Sequence, residues 1–453
     1  MSIWRFLKER MVVYGDKTAL ICGYKRMSYA ELISTVEIGD NSCGSGIMVA
    51  DNSDRFYNAI EILRILAAGN IAVPLNPEYG RTYCDRIYDV IGENAASNID
   101  RDIAIIMFTS GSSGKPKGVM LSHENVISNI NAIDKYFKIN STDSILIARP
   151  LMHAAVLTGE FFISLYKGLT IHFYPESFIP QRVIAYIKQQ GITTFCATPT
   201  LLKLLCRTIR KDEALPLKNI AGSGECLPQE TAVLIADTFP NTDIYHVYGL
   251  TEASPRVSYL PPDKFRNKPG SIGVPIDGVQ MRIAADDGTE ITNETPGRLW
   301  VNSPGLMRGY LGNKALTESK IKEGWPEKAS WLDTGDIACM DKDGYYFILG
   351  RADNMIIRSG MNIYPEEVEN ILLRDVRIEK ALCYAEQDAL MGQRICVKLV
   401  GNISQTEADT LARETLPVFM RPGKIEIVAD LERTASGKCC RTGTAGSVGR
   451  TAR

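Results

Sequence analysis

Between two apolar runs, Ile103 to Phe108 and Val119 to Leu121, the chain reads Thr109-Ser110-Gly111-Ser112-Ser113-Gly114-Lys115-Pro116-Lys117-Gly118. The flanking runs read as buried strands, so a loop of small, hydroxylated and cationic residues hangs between them. Glycines let a backbone approach an anion, and successive N–H groups can form an anion-binding nest. The hydroxyls and two lysines add donors and positive charge, which is the chemistry needed to hold a triphosphate. The loop differs from a Walker A sequence, because Pro116 follows Lys115 where Ser or Thr would stand and no helix starts there. Taken alone, the same composition also suits a flexible Gly/Ser surface loop.

The loop has company downstream. In order come Gly222-Ser223-Gly224-Glu225, Tyr248-Gly249-Leu250-Thr251-Glu252, Trp331-Leu332-Asp333-Thr334-Gly335-Asp336 and Gly350-Arg351-Ala352-Asp353-Asn354. Ser359-Gly360-Met361-Asn362-Ile363-Tyr364-Pro365 and Arg433-Thr434-Ala435-Ser436-Gly437-Lys438 complete the series. Singly, a Thr-Gly-Asp is a turn, an Arg-x-Asp a surface ion pair and a late Ser-Gly-Lys a solvated stretch. Together and in this order they are not a chance set.

The elements that must position these residues read as an α/β protein. Thr18 to Cys22 is a strand, Ser28 a helix cap, Asp54 to Ala68 a helix stopped at Gly69-Asn70, and Ile71 to Leu75 a strand. Ser34 to Gly46 is a short segment. From Ser141 to Gly249 strands and amphipathic helices alternate, which argues for parallel sheets covered by helices. From Gly278 to Leu349 the pattern turns to short strands, a β-rich subdomain. A smaller α+β unit follows Arg351, with a helix from Pro365 to Leu373 and strands near Lys380 to Tyr384 and Arg394 to Leu399. Residues 442–453 hold almost nothing that could be buried and read as disordered.

At 453 residues, 45% hydrophobic and 23% charged, the chain has ordinary globular composition and room for more than one domain. The net charge of -2 gives no footprint for nucleic acid. No apolar run approaches the ~18 residues of a membrane span, and the mixed-charge N-terminus reads as a short amphipathic helix. Eleven cysteines, widely spaced except for Cys439-Cys440 and without C-x-x-C pairs, read as reduced thiols of a cytoplasmic protein. Four scattered histidines form no metal-ligand pattern.

The motif series resembles the adenylate-forming superfamily: acyl- and aryl-CoA synthetases, stand-alone adenylation enzymes and luciferase-type enzymes. The resemblance runs from about Lys17 to Arg441. It implies a large N-terminal adenylation domain over residues 1–351, made of two helix-covered sheets and the β-rich subdomain. A small mobile α+β C-terminal domain over 352–441 would carry a catalytic lysine. The implied activity is ATP-dependent conversion of a small carboxylic acid to acyl-AMP with pyrophosphate release, then transfer to a thiol. CoA is the expected acceptor. The alternatives are a carrier-protein phosphopantetheine, loaded with an acyl, aryl or aminoacyl group, and a degenerate nucleotide-binding protein.

The resemblance also implies roles position by position. Thr109, Ser110, Gly111, Ser112, Ser113, Gly114, Lys115 and Lys117 would cradle the β- and γ-phosphates. Glu252 would associate with Mg²⁺, and Thr251 would meet the α-phosphate. Tyr248, Gly249, Gly224 and Glu225 would flank the adenine. Asp336 and Arg351 would hold the ribose, an acceptor-only carboxylate suiting a diol. Lys438 would bridge acid and α-phosphate. Asp353 would be the hinge, with Ser359, Gly360 and Met361 on the thiol side. His153 would gate an acyl pocket walled by Ala197, Gly222 and Ala253. Glu160 stands near the place where amino-acid-activating relatives carry an amine clamp. Arg256 reads as a surface charge, or else as a partner for a second carboxylate or a phosphopantetheine phosphate.

Overall fold

A computed structural model describes residues 1–38, 46–94, 99–109, 115–210, 213–285, 289–292, 294–324, 329–358, 361–388 and 392–432. Its chain divides into two compact units. The first holds Met1–Arg282, Trp300–Thr334 and Asp341–Phe347; the second holds Ile283–Leu299, Gly335–Met340 and Ile348–Arg453.

The first unit is built on two sheets. The larger has nine strands. In spatial order they are Val274–Pro275, Arg256–Leu260, Asp243–Gly249, Asn219–Ser223, Thr194–Ala197, Ser144–Ile147, Thr170–Phe173, Thr18–Cys22 and Lys25–Ser28. Its centre, from Asp243–Gly249 to Thr18–Cys22, is parallel, and its edges are antiparallel. The smaller sheet runs Gly309–Tyr310, Lys117–Ser122, Ile103–Thr109, Ile71–Pro74 and Ile47–Ala50. Wholly buried strands such as Thr194–Ala197 and Ile71–Pro74 are continuous apolar runs, as sheets covered on both faces require. Helix starts follow their caps. Ser28 with Glu31 and Ser122 with Asn125 form capping boxes, and Asp54 caps Arg55–Ala67. The N-terminal amphipathic helix is Ile3–Met11, with Ile3, Leu7 and Met11 buried.

The stretch 278–349 does break into short strands, Gln280–Ala284, Gly297–Asn302, Ile321–Glu323 and Tyr346–Arg351, with Ser330–Met340 longer. The second unit carries a ladder of Ile356–Arg358 with Met361–Ile363 and a sheet of Ile378–Asp388, Gly392–Gly401 and Lys424–Ile427. Helices Pro365–Leu372 and Gln405–Thr415 bury Val368, Leu372, Ala408 and Ala412 in its core. Among the described residues no helix is long and apolar enough to cross a membrane. The eight described cysteines are free thiols. The expectations on residues 433–453, Lys438 among them, and on Ser110–Gly114, Ser359 and Gly360 lie outside the described residues.

One turn in the first unit is fixed more tightly than its sequence suggests. Strand Asp243–Gly249 ends, Thr251–Ala253 forms a single 3₁₀ turn, and Ser254 takes φ 71° before the chain returns along Arg256–Leu260. The Leu250 N–H donates to the Pro255 carbonyl at 2.9 Å. A Cβ on Gly249 would stand 1.9 Å from that oxygen, so no side chain fits. Asn129, on helix His123–Tyr136, grips the returning strand with both amide ends: Nδ2 donates to the Arg256 carbonyl (2.9 Å) and Oδ1 accepts from its N–H (3.2 Å). Ser254 Oγ donates to the Gly305 carbonyl at 2.7 Å.

Two outcomes follow. Gly249→Ala should lose the folded state or most of its thermal stability, whereas Gly222→Ala should stay within about 1 kcal/mol of the wild type. At Gly222 the new methyl meets only ordinary contacts at 3.5 and 3.9 Å. Equal melting temperatures for the two variants would refute the packing argument. The second outcome concerns His172, which is buried and lies 3.3 Å from the Tyr186 hydroxyl. Burial, helped by Arg26, lowers its pKa from 6.5 to about 4. Between those values only the unfolded chain takes up the proton. Stability is therefore complete above the upper value and falls as pH drops to the lower one, by roughly 3 kcal/mol. Urea unfolding at pH 7 and pH 5 should show about 2 kcal/mol of this loss, shallower in His172→Phe; identical pH slopes would exclude His172 as the cause.

Candidate active site

Strands Ile103–Thr109 and Lys117–Ser122 form an antiparallel hairpin in which Thr109 faces Lys117 and Phe108 faces Gly118. The mouth of the glycine- and serine-rich loop is thereby closed by backbone register. Gly118 is packed hard: a Cβ there would meet Ile106, Leu311 and Phe108 at 3.0–3.2 Å. Lys115 pairs with Glu93 at 2.7 Å, but both side chains are exposed, so the pair is weak and easily exchanged for another anion.

The short strand Gly309–Tyr310 pairs with the outer side of this hairpin, Tyr310 facing Val119. From there the Tyr310 hydroxyl donates to Glu252 Oε1 at 2.8 Å, and the Met307 N–H donates to the Glu252 carbonyl at 2.9 Å. One oxygen of the Glu252 carboxylate is thus aimed by the strand that braces the loop. Sequence reasoning missed Tyr310, since a Gly-Tyr pair carries no signal of its own. It missed Asn129 for the same reason. Among the described residues no group of three or more His, Cys, Asp or Glu could hold a metal. A lone oriented carboxylate fits a hard cation that arrives with phosphate oxygens of its own.

Tyr248, Gly249, Thr251 and Glu252 all lie on the turn held by Asn129. Beside it, at the carboxyl ends of parallel strands, Gly222 pairs with Ala197 on one side and His246 on the other. This is where open α/β sheets bind ligands. Gly224 has φ +94°. Glu225 Oε2 accepts from Thr200 N (3.1 Å) and Oγ1 (2.6 Å), anchoring the first turn of helix Pro199–Thr208. Ala197, Gly222 and Ala253 are buried, Ala197 within the apolar core around Leu202 and Leu205. His153 is half-buried, and its carbonyl accepts from the Val156 and Leu157 N–H groups.

Next to these residues lies a buried ionic group. The segment Leu157–Phe162 is a π-helix, a form frequent at functional sites. On it, Glu160 is fully buried and pairs with Arg149 at 2.5 Å. Arg149 also donates to Ser223 Oγ at 3.1 Å. Burial raises the Glu160 pKa against the pull of Arg149 and Arg256. Glu160 is therefore already engaged by a cation of the protein itself. Arg256 is 3% exposed, so the surface-charge reading is corrected. Strand Arg256–Leu260 is buried along almost its whole length, Arg256 included, and Asn129 fixes the backbone at this residue.

The second unit assembles Asp336, Arg351 and Asp353. Arg351 Nη1 lies 2.8 Å from Asp336 Oδ1, and Nη2 lies 3.9 Å from Asp353 Oδ2. Gly335, at φ +73°, makes room: a Cβ would come within 2.6 Å of Arg351 Nη2. Met361 pairs with Arg358 in the ladder that follows.

The chain is similar to known proteins. Residues 84–311 match the AMP-binding enzyme family and residues 367–438 its C-terminal domain. A feruloyl-CoA synthase from Amycolatopsis sp is 31% identical over 343 residues, covering 74% of this chain and 68% of that protein. Two structures of an O-succinylbenzoate Coenzyme A synthetase from Bacillus subtilis share the fold. The AMP complex has TM-score 0.85 and 23% identity, covering 97% of each chain. The complex with ATP and magnesium ion has TM-score 0.84 and 24% identity, covering 97% of this chain and 98% of that one. The chain belongs to the AMP-binding enzyme family, in the adenylate-forming superfamily, and is an AMP-forming acid–thiol ligase of the acyl-CoA synthetase kind.

Proposed function

We propose that the protein activates a small to medium aliphatic or aromatic carboxylic acid with ATP and transfers the acyl group to CoA. The observation that carries this reading is the Glu252 carboxylate, aimed by Tyr310 from the strand that braces the phosphate-type hairpin. In the first half-reaction an oxygen of the acid attacks the α-phosphorus of ATP, and the bond to pyrophosphate breaks. In the second, the CoA sulfur attacks the acyl carbonyl, AMP leaves, and the thiol proton passes to solvent.

Two anions meet in the first step, so the enzyme must supply fixed positive charge and geometry. Thr109, the loop 110–114, Lys115 and Lys117 take the β- and γ-phosphates. Thr251 donates to the α-phosphate. Glu252 would hold Mg²⁺, which would supply charge to neutralise the phosphates when bound. The B. subtilis synthetase solved with ATP and magnesium ion supports that pairing of ligands. Tyr248, Gly249, Gly224 and Glu225 flank the base, while Asp336 takes the ribose hydroxyls with Arg351 beside it. His153, Ala197, Gly222 and Ala253 belong to the acyl side. Lys438 supplies the cation that bridges acid and α-phosphate. Residues 352–441 then turn about Asp353, withdrawing Lys438 and presenting Ser359, Gly360 and Met361 to the thiol.

Pyrophosphate release should be measured over a panel of carboxylic acids with and without CoA. Turnover only with CoA is the expected result. Slow, CoA-insensitive release would instead make a carrier-protein phosphopantetheine the acceptor, and no release with any acid would sink the ligase reading. Lys438→Ala should abolish adenylate formation yet spare thioester formation from supplied acyl-adenylate; equal loss of both would exclude the hinge. Tyr310→Phe should raise the Mg²⁺ concentration for half-maximal rate by about tenfold. An unchanged Mg²⁺ dependence would remove Glu252 from the metal-binding role.

A further inference from the structure

Arg256 is a buried cation that, among the described residues, has no carboxylate hydrogen-bonded to it, although the charge of Glu160 is near enough to feel it. Its side chain is 3% exposed. Among the described residues it makes no ion pair, and its Nε is buried without a hydrogen-bond partner. The carboxylate nearest in kind, Glu160, has committed Oε1 to Arg149 at 2.5 Å, and Oε2 has no partner either. The other titratable groups that face Arg256 are neutral. Burial pushes the Tyr136 hydroxyl up to about 12 and also raises the Cys196 thiol. The group therefore holds two guanidinium ions against one carboxylate. A buried guanidinium left without an acceptor is strongly unfavourable.

The chain also makes room for this cation. A Cβ on Gly159 would lie 2.7 Å from both Nε and Nη2 of Arg256, so only glycine leaves the guanidinium in place. The backbone of Arg256 is pinned at both ends by Asn129. Arg256 faces Gly249 across the strand pair, one turn from Thr251 and Glu252, and Arg149 reaches Ser223 between Gly222 and Gly224. The excess positive charge thus lies near Cys196, next to Ala197 of the wall proposed for the acyl group.

We infer that the acid activated by this protein carries a second carboxylate, remote from the one that is adenylated, and that Arg256 receives it. A planar guanidinium matches a carboxylate in a two-pronged contact that an ammonium cannot make. Gly159 is the positioning residue that keeps the guanidinium free, and the Arg149–Glu160 pair keeps the neighbouring carboxylate from competing for it. This inference rests on the acid-activating reading and narrows its substrate class.

The test compares succinate, glutarate, adipate and phthalate with their mono-methyl esters, using wild type, Arg256→Met and Gly159→Ala. Thermal shift without ATP reads binding, and pyrophosphate release reads turnover. The wild type should prefer at least one diacid over its half-ester by about tenfold or more, since a hydrogen bond to a charged group is lost in the ester. That ratio should fall to near one in Arg256→Met. Gly159→Ala should lower it in the same direction, which keeps the test open should Arg256→Met fail to fold. Equal use of diacids and half-esters by the wild type would overturn the inference, as would a preference that survives both substitutions or a variant that alters only the KM for CoA. If no acid releases pyrophosphate, the ligase reading fails, while a diacid-selective thermal shift lost in Arg256→Met would still support the anion site.

Discussion

Much of the first unit depends on one close approach, the contact between Gly249 and the Pro255 carbonyl. It forces the chain to reverse within a few residues of the sheet edge. Tyr248, Thr251 and Glu252 come out on one side of that reversal, and Arg256 goes inward on the other. Asn129 and Ser254 spend side-chain hydrogen bonds on backbone alone, at positions 256 and 305. Buried backbone groups need partners, and here satisfying them also fixes the geometry of the turn that carries Thr251 and Glu252. Functional and structural demands on these residues are therefore not separable by burial.

Rigidity spreads from this turn through main-chain pairing rather than through side-chain ion pairs. The carbonyl of Glu252 accepts from Met307, the next strand pairs with the hairpin, and Tyr310 returns a hydroxyl to the Glu252 carboxylate. The exposed pair of Lys115 with Glu93 is of the opposite kind. Exposed ion pairs contribute about 0–1 kcal/mol, so Lys115 can give up Glu93 for another anion with little loss.

The sequence was legible where chemistry is carried by contiguous residues. Ser28 announces a helix start, Ile103 to Phe108 announces a buried strand, and the order of motifs from Thr109 to Lys438 announces the superfamily. Alternation between Ser141 and Gly249 gave the parallel sheet. It was illegible where partners are distant in sequence. Arg256 sits among Ser, Pro and Val residues that say nothing about Asn129, 127 positions away, so it read as a surface charge. Tyr310 is 58 positions from Glu252 and follows no pattern. The Arg149–Glu160 pair could be suspected from neither residue alone. Strand ends also ran longer than their apolar cores, as in Ser330–Met340, because ladder hydrogen bonds do not stop where hydrophobicity does.

This difference in legibility has a physical cause that also bears on function. Phosphates are held largely by backbone N–H groups and by one or two charged side chains, so short contiguous stretches suffice to hold them. The distinguishing part of an acid is shaped by side chains that several elements send to one place. In the acid-binding site inferred above, that means Arg149 after one strand, Gly159 and Glu160 on a π-helix, Cys196 on a second strand and Arg256 on a third. Each can change without disturbing the phosphate motifs. A family built this way keeps its reaction while its substrates diverge, and a relative at 31% identity therefore fixes the chemistry and leaves the acid to be read from the buried side chains.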